Sequence, residues 1–288
     1  MDMNGSMAFY RPETPIYAWC RRLFASGKLR GLYIMGGILD SEASPLISPF
    51  FVKPGVGVNR LGCATMNQLY AAGPAGAFFE DCATHNVPLI TATSNLIIKA
   101  FTITNDDEYH SALTPILHRA KPLFRAGFDA YYIPDFVSKP KKAYDVVSAI
   151  ALLYDMIHTD TLAHRGVSSI TLRAIRLPRT PKRLYFNNEY GISLVSSAPT
   201  AREAAEAYMR TLQEQLASTA DAVVEGLAKN QRRQHMQAEV DLLTRKLNED
   251  PVGFLKAYEV MDIDEMDVSA MTSLLKEVVD QASSSPLG

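Results

Sequence analysis

Arg165, Arg173, Arg176, Arg179, Lys182 and Arg183 fall within nineteen residues that contain no acid, and Tyr185 and Phe186 follow directly. Cations at this density can track the phosphates of a nucleic acid, and adjacent rings can stack on unpaired bases. The wider window from Arg119 to Phe186 holds twelve bases and five acids, a balance of +7. Such a strip is equally well explained as a solvated sheet face, or as a set of partners for acids elsewhere in the chain. Those acids exist. From Leu247 to Gly288 nine acids stand against two bases, a balance of −7, within a chain whose net charge is only −2. A basic body and an acidic tail therefore attract one another, although exposed pairs contribute only about 0–1 kcal/mol each.

Other constellations are weaker. Asp155, His158, Asp160 and His164 cluster near an expected helix end, with Asp155 and His158 one turn apart. Two imidazoles and two carboxylates are ligands for a divalent ion, but a histidine at a helix C-terminus is also explained by the helix dipole. Cys82 and His85 have the spacing of a nucleophile and its base on one helix, a pattern with no specificity. There is no GxSxG and no phosphate-binding GK[ST] loop; the glycines at 73 and 76 read as a turn into a helix. No metal and no cofactor are expected.

The elements that must position these residues read mostly as helices. Thr14–Pro15 starts one that stops at Gly27, with Tyr17, Trp19, Leu23 and Phe24 on its apolar side. Residues 65–72 and 74–86 read as short helices, and 88–103 is either helix or strand. A helix starts at Pro140 and runs to about Ala163. The stretch of about 167–196 is β-rich, with a turn at Asn187, Asn188 and Gly191 that makes a hairpin. Thr200 and Glu203 form a capping box. Beyond it, Ala205, Tyr208, Leu212 and Leu216 begin an apolar stripe that resumes at Met236, Val240, Leu243 and Leu247, as one bent helix or a helical hairpin. Asp250–Pro251 starts a short helix, Met261–Glu265 is loose, and Asp267 caps an amphipathic helix. Its inward residues Val268, Met271, Leu275 and Val278 are the candidate oligomerisation contacts.

The expectation is a mainly α protein: a helical body over 1–198 with a small antiparallel β-hairpin or sheet, and a C-terminal helical arm over 199–288, acidic at its end. The 288 residues are 47% hydrophobic and 21% charged, which fits a folded domain and excludes a wholly disordered chain. No run of eighteen apolar residues occurs, and the first residues lack the pattern of a secretory signal, so the sequence reads as cytoplasmic or intracellular, not secreted and without a membrane. Helical body, basic groove and terminal arm together suggest a non-enzymatic, self-assembling, RNA-coating protein of the viral nucleocapsid kind. Its partners would be single-stranded nucleic acid, RNA before DNA, bound without regard to sequence, and further copies of itself. The alternatives are a structural, scaffold or capsid-type subunit that binds no nucleic acid, and a metal-dependent hydrolase built on the His158–His164 cluster. The three cysteines, Cys20, Cys63 and Cys82, lack disulfide spacing and point to a reducing compartment. Dithiothreitol should accordingly leave the melting temperature unchanged; a fall of more than a few degrees would mark a disulfide that the fold depends on.

Overall fold

The computed structural model describes residues 10–42, 61–64, 68, 71–96, 102–103, 141–142, 147–148, 151–152, 154–156, 176–221 and 227–267. In order, the elements are α1 (Pro15–Ala25), β1 (Leu32–Met35), β2 (Ile38–Leu39), α2 (Ala72–Thr84), β3 (Leu89–Ala92), β4 (Thr102–Ile103), β5 (Lys141–Lys142), β6 (Arg179–Phe186), β7 (Ser193–Ser196), α3 (Ala201–Asp221), α4 (Leu227–Glu249) and β8 (Lys256–Ile263). They belong to two compact units. The first comprises residues 1–95 and 179–263, the second 96–178 and 264–288.

The expectation of a mainly helical protein is overturned by the first unit, which is built on a six-stranded mixed sheet in the order β1-β3-β8-β6-β7-β2. β1, β3 and β8 run parallel, β6 is antiparallel to both β8 and β7, and β7 is parallel to β2. Of this sheet, the 179–196 hairpin is the part that the alternation of residues foretold. The central strand β8 occupies the segment expected to be a short helix and a loose linker. Asp250 does not start a helix there. Its side chain accepts from the Gly253 amide (2.8 Å), closing a turn that feeds β8.

The two edge strands, β1 and β2, are halves of one segment. In a flat sheet five inter-strand spacings of about 4.8 Å would hold them about 24 Å apart, yet the three peptide steps from Met35 to Ile38 reach at most about 11 Å. The sheet must therefore curl into a half-barrel. Gly36 and Gly37 carry the chain across the opening. The Gly36 amide donates to Ala92 (3.0 Å) on the β3 side, and the Gly37 carbonyl accepts from Ser94 (3.0 Å). Gly37 has φ +89, and a Cβ there would lie 2.6 Å from Val195 Cγ2.

α2 lies in the hollow of the curl, its Phe79 ring 5.1 Å from Phe186 and 5.6 Å from Tyr258. Gly76 on this helix sits where a Cβ would strike the Asn188 side chain, so the hairpin turn closes directly onto α2. Outside α2 packs α1. Thr14 caps it, accepting from the Tyr17 amide (3.1 Å), and Gly27 ends it at φ +63, as the sequence indicates. Its buried residues are Cys20 and Phe24; Trp19 is 45% exposed, so it does not belong to the apolar side assigned to it. On the opposite face of the sheet, α3 and α4 form a helical hairpin. Tyr208, Leu212, Met236 and Leu243 pack there with Ile38, Tyr185 and Leu194. The stripe on these helices is core of its own chain.

In the second unit β4 and β5 pair antiparallel, Thr102 opposite Lys142. Strand thus stands immediately after Pro140, where a helix was expected to start; residues 147–148, 151–152 and 154–156 are helical. Among the described residues no helix is long and apolar enough to cross a membrane.

All three cysteines are buried and unbridged. Gly37→Ala should destabilise the first unit by about 1–3 kcal/mol, the cost of holding a side chain in a left-handed backbone, with the Val195 contact adding to it. Urea unfolding checks this; an unchanged midpoint would show that the crossing at Gly36–Gly37 tolerates a side chain and does not constrain the sheet.

Candidate nucleic-acid interface

β6 gathers part of the basic strip. Side chains alternate along it, so Lys182, Leu184 and Phe186 face the hollow, while Arg183 and Tyr185 face the other way. Lys182 Nζ donates to Asp262 Oδ2 across the β6–β8 ladder at 2.7 Å, with the Asp262 side chain 1% exposed. This cation is therefore already committed to an acid of the C-terminal segment. Arg183 is exposed, its guanidinium donating to the Pro199 carbonyl, and in the ladder it stands opposite Glu259. Arg179 is half-buried and Arg176 exposed. Arg165 and Arg173 lie outside the described residues.

Tyr185 and Phe186 cannot be stacking platforms. Both are buried, at 1% and 0%. Tyr185 packs against the α3–α4 hairpin and donates its hydroxyl to the Ala198 carbonyl (2.6 Å), while Phe186 packs on Phe79. The reason is that helices cover both faces of the sheet at the end of this strand, so Leu184, Tyr185 and Phe186 are all inside.

An open groove of about 850 Å³ runs beside this strand. One wall is the end of α2 and the turn into β3, with Cys82, Asn86 and Pro88. The others are β6 with Lys182 and Arg183, β8 with Tyr258 and Glu259, and Ser196–Ser197 at the end of β7. The Leu32 amide donates to the Pro88 carbonyl (2.9 Å), which brings Gly31 beside Pro88. Lys28 and Arg30, on the segment before β1, are exposed. Sequence reasoning passed over them because they lie far from the strip in the chain. The groove is not uniformly basic: Glu259 lines it, and Glu80 accepts from the Tyr258 hydroxyl (3.2 Å) and from Lys256 (3.3 Å). Strand addition at this side of β6 is obstructed. β7 pairs with β6 only from Arg183 onward, and Pro181, in the stretch before it, has no amide to donate.

The remaining candidates fare differently. The Cys82 thiol is held well above its usual range, first by burial and then by the neighbouring Asp81, so it is protonated and a poor nucleophile at neutral pH. Asp155 is half-buried, whereas His158, Asp160 and His164 lie outside the described residues, as do Val268, Met271, Leu275 and Val278. Among the described residues no cluster of three metal-ligating side chains occurs.

A second polar assembly was not foreseen at all. Glu239 of α4 is 2% exposed and accepts from the amides of Gly62 (2.8 Å) and Cys63 (2.9 Å) and from the Tyr208 hydroxyl (3.1 Å). It staples the 61–64 segment to the helical hairpin. The sequence signal for it is slight: a glutamate one residue before Val240 in a stripe of otherwise apolar inward positions.

Comparison with protein-family models, curated proteins and solved structures finds no match to this chain.

Burial pushes the Glu239 carboxyl above its ordinary value, opposed only in part by the four hydrogen bonds from Cys63, Gly62 and Tyr208 that favour the anion. A raised carboxyl contributes stability that is full below the unfolded pKa, about 4.3, and lost as pH rises through the folded value. Unfolding free energy of the wild type relative to Glu239→Gln should therefore fall as pH rises above that point. Parallel pH profiles for the two proteins would show that Glu239 titrates no differently in the folded chain.

Proposed function

We propose that this protein is a non-enzymatic binder of single-stranded nucleic acid, RNA before DNA, and that it takes the strand in the groove beside β6 without regard to base sequence. The observation that carries the reading is the open groove with the exposed Arg183 in its lining, together with the exposed Lys28 and Arg30 on the segment before β1. Exposed cations about a cleft suit a phosphodiester chain, whose binding is dominated by contacts to phosphate. The exposed Ser197 and Asn86 side chains along the lining would supply further phosphate and sugar contacts. The likeness to helical RNA-coating proteins lends no support, because it rested on a helical body that the sheet replaces.

Lys182 and Arg183 separate structure from binding. Removing Lys182 takes a charge partner from a buried carboxylate, so Lys182→Ala should cost about 3–5 kcal/mol of stability. Arg183→Ala should leave stability nearly unchanged. It should weaken binding of a labelled single-stranded oligoribonucleotide, measured by fluorescence anisotropy, and flatten the plot of log affinity against log salt by about 0.7. The same holds for Arg30→Ala if the strand spans the groove. Absence of binding by the folded wild type at low salt would overturn the reading. Binding that is indifferent to Arg183→Ala and Arg30→Ala would remove it from this groove.

A further inference from the structure

With Tyr185 and Phe186 buried, a surface built only of cations would hold phosphates and ignore bases. The structure offers a different ring. Trp19 on α1 is 45% exposed, while the apolar side of the same helix, Cys20 and Phe24, turns inward. Arg22 is exposed one turn further on, on the same face. Between Arg11 and Arg30 there are five bases (Arg11, Arg21, Arg22, Lys28 and Arg30) and one acid, Glu13. Of these bases Arg21 is engaged, donating to Asp81.

We propose that Trp19 is the base-stacking contact of this protein for single-stranded nucleic acid, with Arg22 taking the adjoining phosphate. The proposal rests on the function given above and adds the element which that function lacks. Its position supports it. Phe24, at the end of α1, stacks on His85 with centroids 5.8 Å apart, and His85 is followed by the groove residue Asn86. Trp19 is five residues from Phe24, about 7.5 Å along the helix axis and on the outward side of the helix. A guanidinium beside a half-exposed indole is the pairing that single-strand grooves use, because every base has a π-face. A membrane surface fits less well, since a helix lying in a bilayer turns a continuous apolar strip outward, and the strip of α1 faces the core.

Trp19 is the sole tryptophan of the chain, so its emission reports this site alone. Affinity is followed independently by anisotropy of a labelled single-stranded oligoribonucleotide, and by the same backbone made abasic. The expected result is quenching of Trp19 on binding and an affinity about tenfold weaker for Trp19→Ala, with the salt slope unchanged because no charge is removed. Trp19→Phe should recover part of the loss, and the abasic strand should bind wild type and Trp19→Ala alike. Anisotropy that shows binding with no change in Trp19 emission and no effect of Trp19→Ala overturns this inference and leaves the proposed function standing. Absence of binding in anisotropy overturns both. A blue shift of Trp19 on phosphatidylserine vesicles, with no response to the oligoribonucleotide, assigns the surface to a membrane and overturns it too.

Discussion

Met35 and Ile38 are near neighbours in the chain and occupy opposite edges of a six-stranded sheet. That short covalent link dictates most of the architecture. It curls the sheet, and the curl makes a hollow that only a helix can fill. α2 fills it with Phe78 and Phe79, and α1 must then pack on the outside of α2. The groove lies beside the last turn of α2 and the turn into β3, along β6 and β8. Arg183 reaches solvent at the rim because β7 ends at Ser196, opposite that residue, and the chain then turns away to begin α3.

Charge serves this architecture from within. The strip and the acidic segment, so distinct in the sequence, meet as neighbouring strands β6 and β8. Lys182 and Asp262 join across the ladder inside the hollow, and Arg183 and Glu259 stand opposite each other on the outer side. Part of the asymmetry between body and tail is thus spent in pairing two strands of one sheet, which leaves fewer free cations for a partner than the sequence suggests. The remaining positive surface is assembled from pieces distant in the chain, among them Lys28, Arg30 and Arg183.

Local signals were legible where one neighbourhood decides the outcome. Thr14, Gly27 and the Thr200 cap announce helix ends through backbone groups a few residues away. The β6–β7 hairpin is local too, since Asn187 accepts from the amides of Glu189 and Tyr190 to form the turn. β8 was hidden although it alternates, with Tyr258 and Val260 buried and Glu259 exposed between them. Its acids outweighed its pattern, and the burial of Asp262 makes sense only once Lys182 is known to face it. The parallel strands β1 and β3 are short, β3 buried throughout and β1 half-buried, and they show an apolar run and no alternation. The rings at Tyr185 and Phe186 were misjudged for a related reason: the end of β6 is covered on both sides, and one sequence does not say how many sides are covered.

The position of β8 has a further consequence for how the chain comes to exist. β3 is complete at Ala92, but its partner across the ladder begins only at Lys256, with Ile90 finally opposite Met261. At a synthesis rate of about 5–20 residues per second the interval is about 10–30 s. Throughout it the nascent chain carries the strand Leu89–Ala92, wholly apolar in its first half and destined for full burial, with its outer row of amides and carbonyls unmatched. Contacts of such sequence separation also fold slowly once the chain is whole. Until β8 has been made, that side of β3 stays open.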